Sequence, residues 1–257
     1  MVAPNKSLGQ HWLRDRDVLK DIVDEAELTK QDTVLEIGPG LGTLTSELLR
    51  QAGSVTAVEF DSDLARKLPA QFPGTNLTVV NEDILQFNLS SLPANYKVVA
   101  NVPYYITSKI VQRLMTAKNK PSVVVLLVQK EVAERLAAEP GDMSILAISA
   151  QVYAEVSMGS IVPAELFTPP PKVDSAVVVL RMRSASLIDG LDERAFFRVV
   201  KAGFSAKRKK LRSSLAGGIA LAKSDAERLL EQAGISPNAR AEDISIEDWK
   251  RLAERVV

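Results

Sequence analysis

The stretch Thr33-Val34-Leu35-Glu36-Ile37-Gly38-Pro39-Gly40-Leu41-Gly42 decides the fold. Its first five residues are mostly apolar or β-branched and read as a buried strand. The glycines behind them read as a turn that opens a helix. That helix is expected over 41–51, with Leu44, Leu48 and Leu49 on one face. A glycine turn between strand and helix lets a ligand come close to backbone at the carboxyl edge of a sheet. A dinucleotide fingerprint has the order G-x-G-x-x-G, and its third glycine would fall at Thr43. Here the order is G-x-G-x-G, preceded by Glu36, which steers toward a nucleoside-type ligand. A purely structural turn is the alternative.

Outward from this turn the pattern alternates. Helices are expected over 17–28, 64–72, 108–117 and 131–138. Strands are expected over 33–37, 55–59, 77–80, 96–100, 123–128, 154–161 and 176–182. Near-continuous apolar strands separated by helices predict an α/β fold, a mostly parallel seven-stranded sheet covered on both faces. The last two strands lie close together with little helix between them, so a final antiparallel pair is expected. Residues 184–190 read as a linker, and everything beyond reads as helix, over 195–204, 209–215, 224–233 and 246–256. Ser224 with Glu227 has the form of a capping box. Two domains follow, 1–185 and a small all-helical 186–257.

Composition narrows the chemistry. The chain has 257 residues, 46% hydrophobic and 25% charged, with no cysteine and one histidine, His11. Disulfides, thiolate nucleophiles and cysteine-based zinc sites are excluded, and multi-histidine metal centres and triads are disfavoured. No metal is expected. The start lacks the apolar stretch of a secretory signal, and the longest apolar run, 123–128, is far too short to span a bilayer. A cytoplasmic protein without membrane contact is expected. Formal net charge is zero, yet every charged residue from Arg194 to Lys223 is basic. A segregated basic patch on a neutral protein points to a local polyanion contact.

Three further positions fall at the carboxyl ends of predicted strands. Glu59 ends the second, where a carboxylate can accept both hydroxyls of a ribose. Asp83 follows the third and is placed to accept from an adenine amino group. After the fourth comes Ala100-Asn101-Val102-Pro103-Tyr104. Adenine's exocyclic nitrogen is a poor nucleophile because its lone pair is delocalised into the ring. A site that methylates it needs acceptors for the amino hydrogens, and the Asn101 side-chain oxygen and Val102 carbonyl can serve. Pro103 fixes the turn and removes a competing donor. Tyr104 offers a face for the base, worth roughly 1–3 kcal/mol. The bland alternative is a proline-containing strand exit beside a core tyrosine. Tyr105 reads as packing.

Together these residues resemble the rRNA adenine N6,N6-dimethyltransferase family, along essentially the whole chain. The resemblance rests on 8–13, the glycine turn, Glu59, Asp83, 101–104, the run Phe167-Thr168-Pro169-Pro170-Pro171-Lys172-Val173-Asp174-Ser175 and the basic tail. It implies a Rossmann-like class I methyltransferase fold and S-adenosyl-L-methionine as methyl donor. It further implies that His11, Leu13, Gly38, Glu59, Asp83 and Asn101 border that cofactor, and that Asn101 and Tyr104 are catalytic. Phe167 is similar to the family aromatic that closes the target-base pocket. The Pro-Lys-Val-Asp-Ser-Ala run resembles the small-subunit branch more than the macrolide-resistance methylases. Two departures stand out: the usual signature has Asn-Phe where this chain has His11-Trp12, and more often Leu at 102. A cofactor contact through the His11 backbone would survive this change. An ordinary, partly exposed loop histidine is the alternative.

The expected reaction is dimethylation of two adjacent adenosines near the 3′ end of 16S rRNA, within an immature small ribosomal subunit, by a monomer. Lys207, Arg208, Lys209, Lys210 and Arg212 are the expected phosphate contacts, with Phe204, Leu211 and Leu215 turned to the core. A merely solvated basic face is the competing reading. A 23S rRNA adenine methylase and an inactive ribosome-assembly factor remain alternatives. A nicotinamide-dependent dehydrogenase is disfavoured by Thr43.

Overall fold

The computed structural model describes residues 10–206 and 208–256. Lys207, one of the expected phosphate contacts, lies outside them, as do Leu8 and Gly9. The chain divides into two compact units. The first comprises the described residues of Met1–Glu134 together with Glu155–Met182; the second comprises Arg135–Ala154 and Arg183–Val257.

In the first unit β1 (Trp12–Leu13) leads into α1 (Arg16–Asp24), β2 (Thr33–Ile37), α2 (Thr43–Gln51), β3 (Ser54–Glu59), α3 (Ser62–Lys67) and β4 (Leu77–Asn81). Then come β5 (Lys97–Asn101), α4 (Thr107–Thr116), β6 (Val123–Gln129) and α5 (Lys130–Leu136), within which the chain passes to the second unit. α6 (Ile145–Gln151) belongs to that second unit; β7 (Ala154–Val162), β8 (Phe167–Thr168) and β9 (Ser175–Met182) complete the first. Seven strands form one sheet in the order β4-β3-β2-β5-β6-β9-β7. β2 runs parallel to both β3 and β5, β6 runs parallel to β5, and β9 runs antiparallel to β6. β6, sequence VVVLLVQ, is buried through its first six residues because the sheet is covered on both faces.

The strand order reverses at β2: β3 and β4 build outward on one side, β5 and β6 on the other. A crevice at the carboxyl ends of such a pair is where open α/β sheets take ligands. The side chains of Asp15 and Asp61 accept from the free N–H groups at the starts of α1 and α3.

The helix expected over 17–28 stops at Asp24, with Glu27 at φ 48°. Lys97 Nζ reaches from β5 to the carbonyls of Ala26 (3.1 Å) and Glu27 (2.8 Å), satisfying groups a longer helix would have used. The helix expected over 64–72 ends at Lys67 and gives way to a 3-10 turn, Pro69–Gln71, because proline lacks the N–H that would continue it. The two-stranded sheet of β1 and β8, pairing Leu13 with Phe167, is too short to leave a periodic signal.

The second unit is helical: α6, α7 (Glu193–Gly203), α8 (Leu211–Gly218), α9 (Lys223–Gln232) and α10 (Ile246–Val256). Residues 135–154 belong to it, although Ala154 also opens β7 of the sheet, a different division from a single break at 185/186. The reason is visible at Gly141 and Met143, whose N–H groups both donate to Glu242 O (2.9 and 3.1 Å). Phe204 stacks on the buried Trp249 (centroids 5.6 Å apart), and Leu211 and Leu215 are buried, as expected. The capping box is not formed. α9 starts after Ala222 with no side-chain cap, and Glu227 instead pairs with Arg212. No helix among the described residues is long and apolar enough to cross a membrane.

Candidate active site

A cavity of about 210 Å³ opens at the carboxyl edge of the sheet. Residues 36–41 at the end of β2, 58–60 at the end of β3, 82–85 after β4 and 101–106 at the end of β5 line it, together with residues 10–13. His11, Leu13, Gly38, Glu59, Asp83, Asn101 and Tyr104, seven of the residues singled out from sequence, therefore meet in one place.

The glycine turn is held open by backbone geometry. Gly38, Gly40 and Gly42 all have positive φ, at 66°, 56° and 81°. A Cβ on Gly38 would meet nothing within 4 Å, so this residue faces open space inside the cavity. Gly42 is crowded instead: its Cβ would lie 2.7 Å from Leu68 Cδ1. Thr43, the residue that breaks the dinucleotide pattern, donates its hydroxyl to Leu13 O at 2.9 Å and so ties β1 to the start of α2.

Two carboxylates sit at the base of the turn. Glu59 accepts from Gly40 N (3.0 Å) and Asp61 N (2.8 Å), bracing the turn against the next loop. Burial raises its pKa above the ordinary value, and those two N–H donors offset part of the rise. Glu36 is 1% exposed. Burial pushes its carboxyl up to about 8, opposed by the Thr45 hydroxyl, which donates to Oε2 at 2.6 Å, and reinforced by the charge of Glu59. Among the described residues its Oε1 and the Trp12 indole N–H, both buried, have no hydrogen-bond partner. Asp83 accepts from Leu85 N at 2.9 Å, which fixes its loop after β4.

After β5, the Val102 N–H reaches Leu127 O on β6 (3.4 Å), and Pro103 turns the chain into the 3-10 segment Tyr104–Ile106. Asn101 Nδ2 donates to His11 O at 3.3 Å. A carbonyl only accepts, so the amide nitrogen faces His11 and Oδ1 remains available as an acceptor. The Tyr104 hydroxyl shares a 2.7 Å hydrogen bond with Ser175 Oγ at the start of β9. Burial raises the Tyr104 pKa, and the Ser175 bond opposes the rise. The His11 ring lies over Tyr104 (centroids 5.8 Å, planes 19° apart) while its Nδ1 donates to Pro169 O at 2.7 Å. Backbone and ring of His11 thus serve different partners.

A nucleoside-sulfonium ligand fits this arrangement. Open space at Gly38 admits it, carboxylates on consecutive strand ends can accept from its hydroxyl and amino groups, and buried polar atoms line the turn.

The ribosomal RNA adenine dimethylase family model matches residues 1–257. The chain belongs to the ribosomal RNA adenine dimethylase family. Membership makes it an rRNA adenine dimethyltransferase whose methyl donor is S-adenosylmethionine. It is similar to the ribosomal RNA small subunit methyltransferase A of Dehalococcoides mccartyi, 43% identical over 96% of this chain and 86% of the relative. The protein of that name from Clostridium botulinum is 40% identical over 97% of this chain and 93% of the relative. Among solved structures, a dimethyladenosine transferase from Plasmodium falciparum superposes with a TM-score of 0.81 at 28% identity, covering 94% of this chain and 96% of that one. The 23S rRNA methyltransferase ErmE superposes at 0.77 with 33% identity, covering 95% and 98%.

Other expected site residues of this family member are not among those that line the cavity. Phe167 is 3% exposed and packed in the core with Leu13, Val177 and Val179; it does not line the cavity. In the second unit, Arg208, Lys209 and Lys210 are exposed in and at the end of the loop before α8. Arg212, by contrast, is engaged by Glu227, and Lys210 Nζ donates to Asn238 Oδ1 at 2.7 Å. Sequence reading missed the hydrogen-bonding roles of Thr43, Thr45 and Ser175, whose partners Leu13, Glu36 and Tyr104 are 30, 9 and 71 residues away. It also read Tyr105 as packing, whereas the ring is 63% exposed on the cavity rim; the apolar ring carried no sequence signal to distinguish a lip from a core.

Proposed function

We propose that this enzyme dimethylates N6 of two adjacent adenosines near the 3′ end of 16S rRNA, within an immature small ribosomal subunit in the cytoplasm, acting as a monomer. The carrying observation is Asn101, whose amide nitrogen is held by His11 O at the mouth of the β5 turn, beside Tyr104. The likeness to small-subunit methyltransferases at 40–44% identity supports 16S over 23S rRNA.

S-adenosylmethionine, when bound, supplies an electrophilic methyl group on a sulfonium sulfur. Gly38, Glu59 and Asp83 hold the donor, together with the backbone of His11 and Leu13. The amide oxygen of Asn101 accepts a hydrogen bond from the adenine amino group, which favours the rehybridised nitrogen whose lone pair is out of ring conjugation. Tyr104, its hydroxyl held by Ser175, offers a ring face to the base. Catalysis is then mostly alignment. A target inside a helix must first leave its stack. Phe167, itself part of the β1–β8 pair, is buried in the core, and a direct part at the base requires it to come out of the core.

The basic residues Arg208, Lys209 and Lys210 anchor rRNA phosphates, with residues 186–257 acting as the RNA-binding domain and 1–185 as the methyltransferase domain. Incubating unmodified small and large subunits with labelled S-adenosylmethionine, then mapping modified bases, tests the reading. Two dimethyladenosines in the small subunit are expected. Label confined to the large subunit, or to another base, overturns it.

A further inference from the structure

The 3-10 segment Tyr104–Ile106 carries two tyrosines with opposite environments. Tyr104 is fixed at its hydroxyl by Ser175 and at its ring by His11. Tyr105 is the one exposed residue of the segment, with 63% of its surface open to solvent while it still lines the cavity. A large ring in water at the lip of a binding site offers an open face for stacking, and a second exposed ring, Phe60, lines the same cavity, so the apolar surface there is not a lone side chain. The segment is short and leads directly into α4, so the ring is presented from a defined backbone.

An adenosine that enters the pocket abandons the neighbour it stacked on, and that neighbour's face is then bare. Unstacking costs a few kcal/mol. An aromatic ring one residue beyond Tyr104 replaces the lost partner without reading base identity, because every base has a π-face. We propose that Tyr105 is the stacking platform for the rRNA base adjoining the target adenosine. This rests on the adenosine-pair reading above, in which the second adenosine waits beside the first.

The test uses the full chain. Tyr105→Ala weakens binding of a single-stranded RNA bearing two adjacent adenosines by about 5- to 100-fold, and raises KM for small subunits to match. Tyr105→Phe retains both values, since the ring and not the hydroxyl is used. S-adenosylhomocysteine affinity, measured by calorimetry, is unchanged in both variants, which separates a platform from a collapsed pocket. In Tyr105→Trp, the new indole is quenched on RNA addition, whereas the native Trp12 and Trp249 are buried. Unchanged RNA affinity in Tyr105→Ala overturns the platform, even if the enzyme methylates small subunits normally. Loss of affinity in Tyr105→Phe equal to that in Tyr105→Ala also overturns it. A wild-type enzyme that methylates only the large subunit, yet loses RNA affinity through Tyr105→Ala, overturns the 16S reading and leaves the platform standing.

Discussion

The side-chain nitrogen of Asn101 donates to the main-chain oxygen of His11 across 3.3 Å and 90 residues of chain. That bond occupies the amide nitrogen and leaves Oδ1 as the acceptor end. Asn101→Ala removes the acceptor, and kcat is expected to fall about 10²–10³-fold, the scale set by losing one preorganised polar group. RNA affinity is expected to be largely retained, because the Asn101 amide carries no charge to neutralise a phosphate. Asn101→Asp does not rescue, since it sets an oxygen against His11 O. Single-turnover methylation and RNA titration measure both.

Gly38 and Gly42 separate ligand binding from folding. Both have positive φ, so either alanine costs about 1–2 kcal/mol of backbone strain. At Gly42 the new Cβ also presses on Leu68 and Phe72, and overpacking adds about 1–3 kcal/mol. Gly38→Ala adds no clash but puts a methyl into the cavity. The expected result is a larger Tm loss for Gly42→Ala and a larger S-adenosylhomocysteine affinity loss for Gly38→Ala. Thermal melts and calorimetry read the two independently.

Glu36 predicts a pH slope. Its carboxyl lies at about 8 in the folded chain against an ordinary 4.5. Between those values the folded chain holds a proton the unfolded chain has released. Stability therefore falls as pH climbs through that window and levels off above it. Glu36→Gln mimics the neutral acid and keeps an acceptor for Thr45. Its Tm is expected to exceed that of the parent at pH 8 and to converge with it near pH 4, each kcal/mol being worth about 2–4 °C. A difference that does not vary with pH would show that Glu36 is not the titrating group.

The basic residues are expected to divide. Arg208→Gln and Lys209→Gln each reduce the log–log salt slope of RNA binding by about 0.7–0.9. Arg212→Gln changes it less, because Glu227 already holds that guanidinium. Its cost appears in stability instead, at roughly 1 kcal/mol or less for a pair this accessible. Filter binding across a salt series, with melts of the same variants, checks both.

Much of the sheet was legible because strand and turn chemistry is local. Residues 33–37 form the strand their own composition indicates, and 246–256 form the helix their periodicity indicates. Glu59, Asp83 and Asn101 were legible as cavity-lining positions because each stands at or just beyond the end of a strand. What stayed hidden depends on partners distant in sequence. Ser224 and Glu227 have the spacing of a capping box, yet Arg212 claims Glu227. Phe167 has the place of a pocket aromatic, yet pairing of β8 with β1 buries it.

The sequence by itself determined the strand-turn-helix opening and placed Glu59, Asp83, Asn101 and Tyr104 at strand ends, where the cavity lies. Those follow from backbone propensity and from which atoms a residue carries. Tertiary structure alone decided the orientation of Asn101 by His11, the anchoring of Tyr104 by Ser175, the neutral tendency of Glu36 and the exposure of Tyr105. Hydrogen-bond partners, desolvation and solvent contact are set by segments that meet only when the chain has folded.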